Sequence, residues 1–160
     1  MRNGACRYLP VRYPLLVLSV PLLQLDAGLT PPSRIRDGDA AADLPSRLDV
    51  AIDPGCRRLV PTGFAVAIPQ GYCGLILPRS GLALKHGVTV LNAPGLIDSG
   101  YRGELQVILL NTGDEPVTIE RGQRIAQLLI LGVPDLRFAP VDELPPSGDD
   151  RGSAGFGSSG

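Results

Sequence analysis

Short apolar runs separated by glycine and proline are the feature that most restricts what this sequence can fold into. The chain has 20 glycines and 16 prolines among 160 residues, and runs rich in Val, Ile and Leu lie between them. These runs have the length of strands, and Gly and Pro mark the turns between strands. The pattern predicts one all-β domain, a barrel or a sandwich, large enough to bury a genuine core.

Residues 91–104 form the stretch around which the chain is organised. An apolar run at 87–91 precedes it and another at 105–110 follows it, with Asn, Pro, Gly and Ser between them. This order predicts a wide β-hairpin whose tip carries one carboxylate, Asp98, and one aromatic ring, Tyr101. Glycines there let a ligand approach the backbone closely. A surface turn in which Asp98 only caps a bend fits this stretch as well.

The other apolar runs predict further strands and one short helix. The helix is expected at 82–86, with Ser80 as its N-cap and Gly87 after its end. A helix N-terminus presents free N–H groups and a positive dipole end, which suit a phosphate, and Arg79 adds a fixed charge beside it. The expected strands are 22–26, 48–77 with turns at 53–55 and 69–71, 105–110, 117–120 and 125–131.

Charge and cysteine content exclude several classes of function. The net charge is −1 and the arginines are scattered, so no nucleic-acid-coating surface is expected. Cys6, Cys56 and Cys73 lack a C-x-x-C spacing, and with the single His86 they make no zinc set. We expect free thiols in a reducing, cytoplasmic compartment.

The first 19 residues fit three interpretations. Arginines precede an apolar run at 15–20, as in a signal peptide, but no A-x-A-like cleavage site follows. The run is also flanked by Pro14 and Pro21 and is too short to span a bilayer. We favour a poorly ordered extension over 1–19 or an overlong gene start, and a secretory signal is the minority interpretation.

Two other segments are distinguished by their polar residues. Asp37, Asp39 and Asp43 could supply oxygen ligands for a hard cation, directly or through its waters, and a solvated acidic turn fits them equally well. Residues 139–160 lack periodic apolar positions and predict a flexible arm after a domain at 20–138. The arm carries one arginine and one aromatic ring among glycines, which suits a flap over a ligand, although its composition alone is that of a disordered tail.

Five stretches, taken together, resemble in order the five motifs of the trimeric deoxyuridine triphosphatases (dUTPases). Each motif alone is a weak signal, whereas five in order at compatible separations form a strong one. The chain departs from the family pattern at Ala41 and Ala154, where glycine is usual, and at Pro45, where an aromatic residue is common. The stretches are 39–44, 78–83, 95–104, 121–128 and 151–160, and the resemblance covers roughly 22–160.

The resemblance implies hydrolysis of dUTP to dUMP and pyrophosphate. Asp98 would deprotonate a water that attacks the α-phosphorus, and Asp43 would order water on Mg²⁺. Tyr101 would lie under the deoxyribose and leave no space for a 2′-hydroxyl. The other implied substrate contacts are Arg79, Ser80, Gly81, Gln127, Arg151, Ser158 and Ser159 at the phosphates, and Asn92, Leu96, Ile97, Gln106 and Phe156 at or near the uracil.

The resemblance also implies a jelly-roll-like β-barrel of the dUTPase β-clip type with one short helix, assembled as a homotrimer whose active sites are shared between chains. Within it, Gln127 could instead satisfy neighbouring backbone, and Arg124 is expected to make a structural ion pair. Two alternatives remain. The dCTP deaminases share the fold, but their catalytic glutamate belongs in 105–110, where this chain has no acid. A non-catalytic nucleotide-binding regulator would be expected to lose Asp98 or the terminal motif, and both are present.

Overall fold

The computed structural model describes residues 17–146, which form antiparallel strands and one short helix. Each strand is bounded by the turn residues that the sequence places between its apolar runs. In chain order the elements are β1 (Leu22–Gln24), β2 (Ala42–Pro45), β3 (Val50–Ile52), β4 (Arg57–Val66), β5 (Tyr72–Pro78), α1 (Ser80–His86), β6 (Val88–Val90), β7 (Gly95–Ile97), β8 (Glu104–Asn111), β9 (Val117–Ile119) and β10 (Arg124–Gly132).

The strands are arranged in three sheets. One has the order β1-β4-β8-β6, the second has the order β2-β10-β5-β7, and β3 pairs with β9 in the third. The prediction of an all-β fold with one short helix is confirmed, although across residues 17–146 the sheets do not close into a barrel. The part of the chain that the structure describes has no helix long and apolar enough to cross a membrane.

The core draws on both four-stranded sheets. In β8 the buried residues Leu105, Val107 and Leu109 alternate with more exposed neighbours, as expected of a strand with one face towards a core. Leu44 of β2 and Ile125 of β10 belong to the same buried cluster. Burying one such side chain stabilises the fold by about 1.5–3 kcal/mol, so this shared core fixes the two sheets, and the residues at their ends, relative to each other.

The N-cap of helix α1 lies one residue earlier than the sequence suggested, and the helix begins at Ser80 where 82 was expected. Arg79 occupies the N-cap position with extended backbone (φ −95°, ψ 123°), and within the described residues no side chain caps the helix. The prediction of Ser80 as N-cap is therefore wrong, because Ser80 is the first helical residue. Its hydroxyl is not used for capping and stands at an exposed helix start. The helix ends at His86 and is followed, as predicted, by Gly87, whose φ of 65° suits glycine.

An ion-pair network ties the segment after β1 to the rest of the domain. Arg47 pairs with Asp26 at 3.6 Å and with Glu104, at the start of β8, at 3.3 Å, and Arg121 pairs with Asp26 at 2.8 Å. The backbone N–H of Gly28, together with Arg121 and Arg47, holds the pKa of Asp26 below its usual value of 3.8. Glu104 is thus engaged in holding the fold together.

Candidate active site

Two residues predicted at the phosphates and the metal lie side by side on the second sheet. Strand β10 places Gln127 directly opposite Asp43 of β2 on one side and opposite Leu77 of β5 on the other. Residues opposite each other on neighbouring antiparallel strands project from the same face. Asp43 and half-buried Gln127 therefore share a face at the end of β5 that leads into α1.

The Asp43 carboxylate holds two arginines. Its Oδ1 accepts a hydrogen bond from Arg79 Nε at 3.1 Å, and its Oδ2 accepts one from Arg124 Nη1 at 2.9 Å. Arg79 Nη1 also donates to the Arg124 carbonyl oxygen at 2.8 Å. The expected ion pair of Arg124 is confirmed, and Asp43 is its partner. Part-exposed pairs contribute at most about 1 kcal/mol each to stability, so their main consequence is a fixed orientation for Arg79.

Arg79 keeps binding capacity after these contacts. A guanidinium has about five N–H donors, and Asp43 and the Arg124 carbonyl take two of them. Behind Arg79, the N–H groups of Leu82 and Ala83 donate back to its carbonyl oxygen, which leaves those of Ser80 and Gly81 at the exposed start of α1. The structure thus brings together a fixed cation, a hydroxyl and open backbone donors, which are groups that bind phosphate.

The wide hairpin predicted around residues 91–104 is present. Strand β6 pairs with β8, with Val88 opposite Asn111 and Val90 opposite Leu109. Between them the chain forms β7, which the sequence did not predict and which pairs with β5 in the other large sheet. Among residues 17–146, strand β7 is the last strand in its sheet. Within this range its outer edge therefore has unpaired backbone N–H and C=O groups.

The residues predicted to contact the uracil base lie along this edge strand. Leu96 is exposed and Ile97 is half-buried. The side-chain amide of Asn92 lies against Gly95, where an added Cβ would be 3.4 Å from Asn92 Nδ2 and 3.4 Å from Ile76 Cβ. These distances place the Asn92 amide in van der Waals range of the strand at Gly95. An amide beside open backbone groups can pair with a flat polar ring.

A hydrogen-bonded turn follows β7 and carries the predicted catalytic carboxylate. Asp98 is exposed, and its carbonyl oxygen accepts from the Tyr101 N–H at 3.1 Å. The Tyr101 hydroxyl donates to the Glu104 carbonyl oxygen at 3.0 Å. Arg102 Nη1 donates to the carbonyl oxygens of Ser99 and Tyr101, both at 2.7 Å. Predicted Gln106 is exposed on β8, at the same end as this turn.

Within one chain the structure separates the hairpin residues from the phosphate residues. Ile97, which precedes Asp98, is paired with Gly74, whereas Arg79 follows Pro78 at the other end of β5. Four residues of strand cover about 13 Å, and β7 runs away from Arg79. Asp98 and Arg79 of the same chain therefore lie towards opposite ends of β5. Arg151, Phe156, Ser158 and Ser159, predicted to complete the site, lie outside the described residues.

The part of the chain that the structure describes contains no group of three or more His, Cys, Asp or Glu side chains that could hold a metal ion by themselves. The Asp43 carboxylate is nevertheless compatible with a water-mediated contact to Mg²⁺. Each carboxylate oxygen has about two acceptor sites, and the arginines occupy one on each oxygen. Mg²⁺ typically keeps several waters and is held by one or two carboxylates together with substrate phosphates.

Comparison with known proteins identifies close relatives over most of the sequence. The family model described as dUTPase matches residues 29–160. The deoxyuridine 5'-triphosphate nucleotidohydrolase of Leifsonia xyli is 54% identical over 124 residues, which are 77% of this chain and 80% of that protein. The protein of the same name from Mycolicibacterium gilvum is 51% identical over 146 residues, 89% of this chain and 95% of that protein.

Solved structures of dUTPases have a similar fold. A variant of the Staphylococcus bacteriophage 80alpha dUTPase with dUpNHpp has a TM-score of 0.82 at 29% identity and covers 90% of this chain and 99% of its own. A variant of the dUTPase from phage phi11 of S. aureus, described with a structural Mg(II) ion, has a TM-score of 0.73 at 26% identity, with 79% and 98% coverage.

Proposed function

Because the chain belongs to the dUTPase family and is a dUTP diphosphatase, we propose that an Asp98-held water attacks the α-phosphorus of dUTP, giving dUMP and pyrophosphate. Asp98 acts as general base and takes the water's proton. The reaction lowers the concentration of dUTP and supplies the precursor of dTMP. The observation that carries the proposal is the place of Asp98, exposed on a fixed turn directly after the open edge of β7.

Recognition of uracil is assigned to the open edge of β7. The backbone at Leu96 and Ile97, with the Asn92 side chain, pairs with the polar edge of the base, and Gln106 lies nearby. Tyr101 lies under the deoxyribose and leaves no space for a 2′-hydroxyl. A site built on hydrogen bonds rejects an analogue that leaves buried polar groups unpaired by far more than an apolar pocket does.

Binding of the triphosphate is assigned to the Asp43–Arg79 end of the second sheet. Arg79, Ser80, Gly81 and Gln127 hold phosphate oxygens, and Arg151, Ser158 and Ser159 of the terminal motif close over them while Phe156 stacks on the base. Catalysis then depends mainly on positioning and on stabilising the charge on the phosphates.

We infer that the active site is completed between copies of the chain. In one chain Asp98 and Arg79 lie towards opposite ends of β5, so one copy supplies the hairpin and another the phosphate-binding residues. A homotrimer, in which a third copy supplies the terminal arm, fits this division. The cysteines, which lack paired spacing, support a cytoplasmic location.

Mg²⁺ is the proposed cofactor, carried mainly by the triphosphate. Asp43 would contact one of its waters while keeping hold of Arg79. When bound, the ion would neutralise charge on the phosphate oxygens. Proton removal from the attacking water is the task of Asp98.

The deaminase alternative finds little support in the structure. The one acid of β8 is Glu104, the first residue of the strand, and its carboxylate accepts a hydrogen bond from the Gly63 N–H at 2.7 Å and pairs with Arg47 at 3.3 Å. A carboxylate that is hydrogen-bonded to these partners is poorly suited to transfer protons to or from a nucleobase. Membership of the dUTPase family also counts against a nucleotide-binding regulator without activity, and a turnover assay tests that alternative directly.

Substrate selectivity tests the proposed function. We expect the purified protein to release pyrophosphate from dUTP far faster than from dTTP, dCTP or UTP, because backbone pairing beside C5 leaves little space for a thymine methyl and Tyr101 blocks a ribose hydroxyl. The four nucleotides are compared at equal concentration with Mg²⁺ present. Similar rates on all four would contradict the uracil pocket, and binding of dUTP without turnover would favour the regulator.

Replacement of Asp43 by Asn tests its hold on Arg79. We expect Asp43→Asn to raise KM for dUTP several-fold, because the neutral amide loses charge-assisted bonds to two arginines. Titration with Mg²⁺ separates this effect from loss of a metal contact. If KM for dUTP rises and the Mg²⁺ concentration needed for activity is unchanged, the result supports the role of Asp43 in holding Arg79. If the required Mg²⁺ concentration shifts and KM at saturating Mg²⁺ is unchanged, the result contradicts that role. Asp53→Asn, at an exposed residue of the turn after β3, is the matched control.

A further inference from the structure

The ring of Tyr101 is folded directly over Gly103. A Cβ atom added at Gly103 would stand 2.5 Å from the Tyr101 hydroxyl oxygen, 2.8 Å from Cζ and 3.2 Å from Cε2. Carbon atoms in contact are normally about 3.5–4.0 Å apart, so any side chain at this position must displace the ring. The backbone of Gly103 is not in the left-handed region, so a side chain here would conflict with the end of the Tyr101 side chain and not with the backbone conformation.

The turn around the ring is held on both sides. The Tyr101 hydroxyl donates to the Glu104 carbonyl oxygen at 3.0 Å. On the N-terminal side of the turn, the Tyr101 N–H donates to the Asp98 carbonyl oxygen at 3.1 Å. Arg102 Nη1 donates to the carbonyl oxygens of Ser99 and Tyr101, at 2.7 Å each. The ring therefore has a defined place in the free protein, and a binding partner need not order it.

We propose that Gly103 determines specificity: its missing side chain sets the position of the Tyr101 ring and, through it, the discrimination between deoxyribose and ribose triphosphates. This inference rests on the proposed function, in which the ring lies under the deoxyribose. Gly103 itself is a positioning residue that need not contact the substrate. A misplacement of about 1 Å can cost roughly 10²-fold in rate, so a displaced ring has a measurable effect.

The first test compares Gly103→Ala with Gly100→Ala. Gly100 lies on the same turn, but a Cβ added there would meet no atom within 4 Å, which makes it a matched control. We measure kcat/KM for dUTP and for UTP. Gly103→Ala is expected to lower the dUTP-to-UTP ratio at least about tenfold, since the displaced ring no longer fills the space beside C2′. Gly100→Ala is expected to keep the wild-type ratio.

A double variant shows whether the effect passes through the ring. All three atoms nearest to the added Cβ belong to Tyr101. In a Tyr101→Ala background, Gly103→Ala should therefore change neither the ratio nor the melting temperature, because coupled positions are not additive. If Gly103→Ala alone does not fold, the double variant decides: recovery of folding on removal of the ring supports the inference, and a double variant that also fails to fold overturns it.

Tyrosine ring signals give a readout that does not depend on turnover. The chain has 4 tyrosines, and Tyr101→Phe assigns the signal of Tyr101 in ring-labelled protein. Gly103→Ala should shift that signal without nucleotide, whereas Gly100→Ala should not. A folded Gly103→Ala variant with an unmoved signal or a wild-type ratio overturns the inference. Failure of wild-type protein to turn over dUTP would instead count against the proposed function, and the ring signal would still test the positioning.

Discussion

Asp98→Asn is expected to lower kcat for dUTP at least about 10²-fold while nucleotide binding is largely kept. The amide preserves the size of the side chain and much of its hydrogen bonding, but it cannot accept the proton of the attacking water. Removal of a general base typically costs 10²–10⁴-fold. Because Asp98 is exposed and its carbonyl oxygen, not its carboxylate, holds the turn, the fold should be unaffected.

The measurement is single-turnover hydrolysis of dUTP beside equilibrium binding of a non-hydrolysable analogue. Asp114→Asn is the matched control, since Asp114 is an exposed aspartate in the turn after β8 and its replacement removes the same charge. A fall in kcat without a change in binding identifies a group that acts in the transition state. If Asp98→Asn keeps the wild-type kcat, Asp98 is a turn residue without a catalytic role.

The sequence predicts most of the strands, because local pattern determines them. Alternating apolar residues and Gly or Pro turns located β3, β4, β5 and β8 within a few residues of their observed ends. Strand β7 was missed for a physical reason: it has three residues, begins with Gly95 and follows Pro94, so its composition is that of a turn. Only pairing with β5, a long-range interaction, makes it a strand.

The sequence predicted which residues form the candidate site better than it predicted the contacts between them. Asp43 and Arg79 are 36 positions apart in the sequence, and their contact follows from the pairing of β10 with both β2 and β5. No local pattern carries that register. The N-cap differed by a single residue because serine favours the cap, whereas the chain leaving β5 places Arg79 there and anchors it on Asp43. The contact of Tyr101 with Gly103 likewise depends on side-chain direction.

A chain that ends at Gly148 is expected to lose most of its kcat while keeping its melting temperature and oligomeric state. Residues 149–160 contain one large apolar side chain, Phe156, so their removal takes little buried area from the fold. They also contain Arg151, Ser158 and Ser159, which are proposed to bind phosphate oxygens. If this segment closes over the triphosphate, its loss removes charge stabilisation and admits water to the reacting groups.

Two further variants distinguish closure from simple chain length. A protein whose last twelve residues are replaced by a Gly-Ser segment of about equal length keeps the reach of the arm but lacks Arg151 and Phe156, and it should be as inactive as the truncation. Phe156→Ala alone should cost less, roughly 1–3 kcal/mol if stacking on uracil is comparable to base stacking in single-strand binders. Size-exclusion chromatography and dUTP turnover are measured on all three. A folded truncation with full activity would show that the terminal segment is not part of the active site. An active Gly-Ser replacement would show that the length of the segment matters and that its arginine and aromatic ring do not.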